Sequence, residues 1–397
     1  MRFTSPDRPT PARFTDADCR LADFAVLVDQ HTDRDDYPHA AEVVCDVLIY
    51  DAAALRSTIV GETGRAEIEA ELVRALTNGP GLVVVKGAFP DRSVVDRASR
   101  VFHAIIDDEL TAGTAGTSDH FAAGANDRVW NALEKLAVAD PDTFVDYYGN
   151  DVLALISTAW LGPGYQMTSQ INNVRPGGQA QDPHRDYHLG FLSTEVAARY
   201  PAHVHLLSPV LTLQGAVAHS DMPVESGPTM YLPYSQQYAP GYLAWRRPEF
   251  AEFFAGRHVQ LPLATGDAAF FNPALFHGAG TNVSTDIQRM ANLLQISSAF
   301  GRAMETVDRT KISKAIYPAL RARLAAGADP AMISNAIACA ADGYPFPSNL
   351  DLDANVDGLT PLAQTALLEQ ALAQDWSSAR VGESLDAYAS RHRTDAI

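Results

Sequence analysis

The chain has 397 residues, 47% hydrophobic and 20% charged, with 24 Pro and 26 Gly; this excludes a largely disordered, collagenous or disulfide-scaffold protein. Thirty Lys and Arg against 48 Asp and Glu give a formal charge of -18, which repels phosphate backbones and anionic lipids, so no nucleic-acid or membrane partner is expected. Three scattered cysteines, Cys19, Cys45 and Cys339, form no CxxC and point to a reducing compartment without a cysteine-rich zinc site.

Residues 1–60 carry Pro, Asp and Arg with weak periodicity and read as an N-terminal extension that wraps or frays. The first residues contain no apolar h-region, and no apolar run approaches the ~18 residues of a membrane span. The expectation is a soluble, cytoplasmic protein. Lys occurs only at 86, 135, 311 and 314, with Arg elsewhere, the bias of a GC-rich bacterial genome. From Arg65 the signals sharpen. Ile68, Leu72 and Leu76 recur at helical spacing, and Asn78-Gly79-Pro80 stops that helix. GLVVVKG at 81–87 predicts a short buried strand. Pro90-Asp91 opens a second helix with Val94, Ala98, Val101, Phe102 and Ile105 on one face, and a third helical stretch runs from Phe144 to Trp160.

The middle of the chain is rich in short β pieces: YQMTSQINNV, HVHLLSPVLTLQGAVAH, PTMYLP, HVQLPL, GDAAFFNP and MANLLQIS. Short strands without helices between them imply an antiparallel sandwich or barrel over about residues 165–300. After Phe300 helix returns, with Asp329-Pro330 and Thr360-Pro361 each reading as an N-cap followed by Pro at the first helical position. The predicted organisation is an extension over 1–60, a principal domain over 61–302, and a helical region over 303–397 packed on the core.

The chemistry begins with histidine and acid spacing. A His-x-Asp pair on a strand puts both side chains on one face, and a further His from a neighbouring strand completes a 2-His-1-carboxylate metal site with open positions. Three such pairs occur: His31/Asp33, His184/Asp186 and His219/Asp221. The first lies in a polar run and reads as solvated surface. His184/Asp186 follows a Pro-Gly-Gly turn and opens a strand. His219/Asp221 closes a strand and enters a turn, where Asp221 reads more naturally as a capping acid. His277 is the candidate third ligand, beside Gly278 and Gly280 at the end of a buried strand. Arg289 begins an apolar strand and needs an anionic partner, either a dicarboxylate ligand or a surface acid such as Asp286.

Together, HRD at 184–186, Asp221 with Glu225-Ser226-Gly227-Pro228, Leu232-Pro233-Tyr234-Ser235-Gln236, Gly266-Asp267, and FHGAGTNVS followed by Arg289 resemble the phytanoyl-CoA dioxygenase family, the branch of Fe(II)/2-oxoglutarate oxygenases that includes ectoine hydroxylase. The resemblance covers about residues 65–300. It implies an α+β protein with a double-stranded β-helix (cupin-like jelly roll) core flanked by N- and C-terminal helices. It implies that His184, Asp186 and His277 bind Fe(II) as the catalytic metal, that His219 and Asp221 do not, and that Arg289 holds the distal carboxylate of 2-oxoglutarate. A polar residue on the strand before the Pro-Gly turn would touch the same cosubstrate; Asn173 is the best match, with Asn172 and Gln170 as fallbacks because a one-residue slip reverses the face. Ala279 stands where some members carry a hydroxyl, and Thr281 is the candidate to compensate. Pro-Tyr-Ser-Gln at 233–236 replaces the family's Pro-Gly-Ser-His.

The implied activity is a dioxygenase of bacterial secondary metabolism that uses O2 to hydroxylate a small organic molecule, with release of succinate and CO2. Desaturation, cyclisation or epimerisation by a related iron enzyme is one alternative; a non-catalytic β-helix that binds a small acid is another. The carboxylate at Asp186 argues against halogenation. His188, His203, His205 and His258 read as structural or surface histidines, and Tyr187 as core. Trp130, Phe191 and Tyr231 are core by default with a pocket role as the alternative. The Pro-rich segment 344–353 is a candidate cover for the pocket mouth.

Overall fold

The computed structural model describes residues 11–113, 125–353 and 360–394. Its strands are β1 (Glu42–Val44), β2 (Val47–Asp51), β3 (Leu82–Lys86), β4 (Asn126–Val129), β5 (Gln166–Val174), β6 (Thr212–Ala218), β7 (Met230–Leu232), β8 (Val259–Gln260), β9 (Ala268–Phe271), β10 (Phe276–Gly278) and β11 (Arg289–Ser297). Eight of them form one sheet in the order β1-β2-β3-β9-β6-β11-β5-β4, and three form a second in the order β10-β7-β8. Every neighbouring pair is antiparallel except β2 and β3, which run parallel. The protein is a mixed α/β structure organised on a large sheet.

Period-two alternation divides the large sheet into two faces. On one face Leu48, Tyr50, Val83, Val85, Phe270, Leu213, Val217, Leu294 and Ile296 pack against helices in a core that extends to Leu385 and Tyr388 near the C-terminus. Helices Pro141–Tyr148, Arg309–Ala325 and Pro330–Ala340 supply Phe144, Tyr147, Leu320 and Ile337 to that layer. Each fully buried Leu or Phe there stabilises the fold by roughly 1.5–3 kcal/mol. On the other face, Val47, Ile49, Leu82, Val84, Ala269 and Phe271 meet Tyr231 and Leu261 of the small-sheet side. Toward β5, β6 and β11 this second face ceases to be apolar: Gln170, Asn172, Gln214, Arg289 and Gln295 line a cavity of about 710 Å³ instead. Among the described residues no helix is long and apolar enough to cross a membrane.

Several expectations are corrected. Within the expected extension over 1–60, the described residues 11–60 do more than wrap: β1 and β2 form a hairpin on the edge of the large sheet, and Phe24 of helix Leu21–Val28 is fully buried among Tyr238, Phe250 and Phe276. The hairpin turns through Cys45 and Asp46 with φ of 52° and 65°, the paired left-handed geometry that matches strand twist. The stretch from Phe144 to Trp160 is two helices, Pro141–Tyr148 and Asp151–Leu161, because Asn150 accepts from the Val152 and Leu153 amides and starts a new one. HVHLLSP is helical rather than β, over Ala202–Leu207. Asp329 caps its helix through the Ala331 amide at 2.9 Å, whereas the helix expected at Thr360-Pro361 starts at Gln364. The segment 344–353 contributes Tyr344, Pro345, Phe346 and Pro347 to a separate cavity beside Gly164 and Tyr388, not to the mouth of the first.

Candidate metal centre

His184 and His277 meet through a short antiparallel bridge, with the His184 amide donating to the His277 carbonyl at 2.9 Å and the reverse bond at 3.2 Å. Side chains two residues apart in extended chain share a side, so His184 and Asp186 project together while Arg185 turns away between the rings of Tyr242 and Phe276. Gly278 allows this approach, since a Cβ there would sit 3.1 Å from the Gln181 carbonyl oxygen and 3.2 Å from that of Asp182. The ligand atoms of His184, Asp186 and His277 all lie within 4.8 Å of one another. His184 Nε2 is 3.6 Å from Asp186 Oδ1, and His277 Nε2 is 3.4 Å from Asp186 Oδ2.

The second nitrogen of each ring fixes which one faces the centre. His184 Nδ1 lies 3.0 Å from the Asp182 carbonyl, and His277 Nδ1 lies 2.9 Å from the Leu275 carbonyl. A carbonyl only accepts, so each Nδ1 carries a proton, and the neutral form of each ring would present its Nε2 lone pair to a metal. Gln214 donates its side-chain amide to Asp186 Oδ2. Burial alone would raise the Asp186 carboxyl, but the positive charge that the His184 and His277 rings carry when protonated, a hydrogen bond from His277 and the Gln214 amide outweigh it and hold it below the ordinary carboxylate range in the metal-free centre. Two imidazoles and one carboxylate on one side of a cavity form a ligand set suited to a divalent transition metal with open positions.

The competing pairs lie elsewhere. His219 is buried on the helix side of the large sheet, 2.8 Å from Ser99 Oγ and 2.8 Å from the Tyr147 hydroxyl, and burial pushes its imidazole down to about 3. Asp221 caps a turn by accepting from the Thr265 amide at 2.8 Å and its hydroxyl at 3.0 Å. Asp33 caps the short turn at Asp35, while His31 is exposed 3.5 Å from Asp46.

Arg289 lines the same cavity as the three ligand residues. It is buried, makes no ion pair among the described residues, and donates only to the Gly227 carbonyl. The salt bridge to Asp286 is therefore not formed. Burial lowers the guanidinium to about 10, which leaves it a cation at neutral pH. Gly227 has φ of 73°, and a Cβ on it would come within 2.4 Å of the Thr281 carbonyl oxygen, so the carbonyl that meets Arg289 depends on this glycine.

Two expected cosubstrate contacts are not brought to this cavity. Asn173 faces the opposite side of β5, where its amide donates to Asp127 Oδ2 at 3.2 Å, and its neighbour Asn172 takes the cavity position, as does Gln170. The two adjacent asparagines are indistinguishable in sequence, and the pleat decides between them. Thr281 accepts from the Ala180 amide at 3.0 Å, tying two loops together, while Ala279 reaches the cavity wall. Trp130, Phe191 and Tyr231 all lie on that wall. Tyr187 is buried, and His188, His205 and His258 bond to Ser208, Ala197 and Phe254 respectively. Gln214 and Gln295 were missed by sequence reasoning. Gln214 is the one long polar residue of β6, whereas Gln295 shares β11 with Arg289, Asn292 and Ser297, so no local signal marks it.

The sequence model of the phytanoyl-CoA dioxygenase family matches residues 78–291, more than half of the chain. No curated protein matches in sequence. Among solved structures, the non-haem α-ketoglutarate-dependent epimerase SnoN from nogalamycin biosynthesis is 20% identical, with 60% of this chain and 84% of that chain covered at a TM-score of 0.40. SnoN in complex with Fe3+, α-ketoglutarate and nogalamycin RO aligns at 21% identity, 60% and 85% coverage, and a TM-score of 0.41. AviO1 from Streptomyces viridochromogenes Tue57 is 18% identical over 59% of this chain and 96% of that chain, with a TM-score of 0.42.

Proposed function

The chain belongs to the phytanoyl-CoA dioxygenase family, and from that premise we propose that it is a non-haem Fe(II)- and 2-oxoglutarate-dependent oxygenase that hydroxylates a C–H bond of a small organic molecule. The observation that carries this reading is Arg289: a buried cation without an acidic partner among the described residues, on the wall of the cavity that holds two imidazoles and a carboxylate. An unpaired buried guanidinium is costly, and a dicarboxylate cosubstrate removes that cost through a planar two-point contact. The residues fit both groups. His184 Nε2, Asp186 and His277 Nε2 would hold the metal, and Arg289 would bind the far carboxylate of 2-oxoglutarate. We read the two opposed sheets as the double-stranded β-helix of the family, and the free thiols Cys19, Cys45 and Cys339 support a reducing, cytoplasmic setting.

The bound metal and cosubstrate supply the oxidising chemistry, with succinate and CO2 as coproducts. The chain contributes position and shelter. Asp182 and Leu275 carbonyls orient the two imidazoles, and Gln214 orients the Asp186 carboxylate. Phe271 packs edge-on against His277 at 4.7 Å and keeps water from that side of the centre. The test is aerobic conversion of labelled 2-oxoglutarate to succinate, measured with and without added iron(II). Iron-dependent succinate release supports the reading; its absence with protein that binds both iron and 2-oxoglutarate overturns it.

A further inference from the structure

The inner face of β11 carries Arg289, Ala291, Leu293 and Gln295 onto one cavity wall. Arg289 and Gln295 are six residues apart, so this wall spans roughly 20 Å of extended chain. Arg289 marks one end. The other end carries carboxamides. Gln295 stands opposite Gln214 across β6 and β11, and Gln170 Nε2 donates to Gln295 Oε1 at 3.2 Å. Gln170 Oε1 in turn accepts from Arg128 Nη1 at 3.0 Å, and the Arg128 guanidinium lies 5.0 Å over the Trp130 ring. Asn172 completes a floor of four carboxamides on three adjacent strands.

This floor is not hydrogen-bonded to completion. Asn172 is only 5% exposed, and its Oδ1 has no partner; Gln214 is 6% exposed with Oε1 in the same state. The Gln295 NH2 group faces the cavity with no acceptor among the described residues. A buried polar group left unmatched costs roughly 1–3 kcal/mol, so an alkyl chain laid along this floor would be penalised several times over. A carboxamide both donates and accepts, and the ligand group that does the same at one atom is a hydroxyl. A carboxylate only accepts and an ammonium only donates. Aromatic rings complete the lining: Trp130 follows β4 at the edge of the floor beside β5, and Phe191 and Trp245 come from outside the large sheet, with the Arg246 guanidinium 3.8 Å above the Trp245 ring. The flat apolar surface of these aromatics suits the C–H face of a ring whose edge is polar.

We propose that this cavity takes a polyhydroxylated ring, a free or glycosidically linked sugar, with hydroxyls on Asn172 and Gln295, the Gln170 amide holding Gln295 in place, and the ring packed beside Trp130. As a substrate assignment this rests on the oxygenase reading; as a binding site it stands on the cavity alone. The cavity volume of about 710 Å³ is within the range that holds a cosubstrate-sized or drug-sized ligand.

The test is saturation-transfer NMR on the iron-free protein with two probe sets at millimolar concentration: methyl glucoside, maltose and maltotriose, against octanoate and dodecanoate. Transfer to saccharide ring protons is expected, with at least a tenfold weaker affinity in a Gln170→Leu/Gln295→Leu variant. Transfer to the alkanoates alone, no transfer to any saccharide, or saccharide binding that is unchanged in the variant overturns the proposal. If the double variant fails to fold, Gln295→Asn, which keeps the amide but shortens its reach, is expected to weaken saccharide binding by the same criterion. Succinate release from the iron-loaded protein separates this proposal from the oxygenase reading. Glutamine-dependent saccharide binding without succinate release sinks the oxygenase reading and leaves the sugar site standing. Release stimulated by alkanoates only does the reverse.

Discussion

Gln214 donates its side-chain amide to Asp186 Oδ2, and so joins the middle of the large sheet to the one carboxylate of the candidate metal centre. Asp186 also has both imidazoles within 3.6 Å, and their positive charge when protonated, with the Gln214 amide, favours its ionised form despite its burial. Replacing Gln214 by Leu removes the orienting bond while leaving every ligand atom in place. Support of this kind is typically worth ten- to a hundred-fold in metal affinity. Gln214→Leu is therefore expected to bind iron(II) with unchanged stoichiometry and an affinity lowered by about that factor, measured by competition with a chelator. Unchanged affinity would show that the bond does not position the carboxylate.

The ligand assignment has a built-in control. His184→Ala and His277→Ala each remove one of three ligand atoms and are expected to abolish stoichiometric iron binding. His219→Gln leaves the centre untouched, because His219 sits on the opposite face of the sheet between Ser99 and Tyr147. It should retain one iron per chain. Loss of iron from His219→Gln, with retention by His184→Ala, would move the site to the second His-x-Asp pair.

What the sequence made legible here is the part that depends on spacing alone. His184 and Asp186 share a side because backbone alternation has period two, and Asp221 sits where a turn wants a capping acid. What it hid depends on partners distant in the chain. β1 and β2 gain their stability by pairing with β3 and with each other, so neither shows a long local signal in a Pro- and Asp-rich stretch. Asn172 and Asn173 are the same residue side by side, and only the register with β11, Asn173 opposite Met290, decides which one faces the cavity. Arg289 reads equally well as a salt-bridged surface residue until its burial and its lack of an acid are seen together. The carboxamide floor was hidden for the same reason: one carboxamide in a strand is ordinary, and four on one face across three strands, Gln170, Asn172, Gln214 and Gln295, are a tertiary fact.

Arg289→Ala is expected to raise the apparent KM for 2-oxoglutarate sharply while iron content stays near that of the wild type. Loss of a charge-assisted two-point contact costs on the order of 2–4 kcal/mol, or roughly thirty- to a thousand-fold. Arg289→Lys should recover only part of this, since an ammonium cannot reproduce the planar fork. An unchanged KM in the Ala variant would reduce Arg289 to a structural donor for Gly227.

Acid stability should carry the signature of His219. Burial holds its imidazole at about 3, against about 6.5 in an unfolded chain. Between those values the unfolded state binds a proton that the folded state refuses, so stability falls as pH drops from about 6.5 toward 3. His219→Gln carries no ionisable group and keeps both a donor and an acceptor for Ser99 and Tyr147. Its melting temperature is expected to fall less steeply than that of the wild type over this window; equal slopes would remove His219 from the account.

Glu305 runs the other way. Burial raises its carboxyl to about 7, against the opposing effects of the Asn131 amide, Lys135 and Arg128. One oxygen accepts from the Asn131 amide at 2.7 Å, and the other is buried without a partner. The folded state therefore holds a proton that the unfolded state releases near pH 4.5. By linkage its stability is fully present below that pH, declines as pH rises toward about 7, and stays reduced above it. The full shift corresponds to on the order of 2–3 kcal/mol once partial solvent access is allowed for. Glu305→Gln keeps the oxygen that meets Asn131 and removes the charge. It is expected to raise the melting temperature at pH 8 and to leave it nearly unchanged at pH 5. A shift of equal size at both pH values would mean that the carboxyl is not protonated in the folded protein, and that Arg128 and Lys135 balance its charge fully.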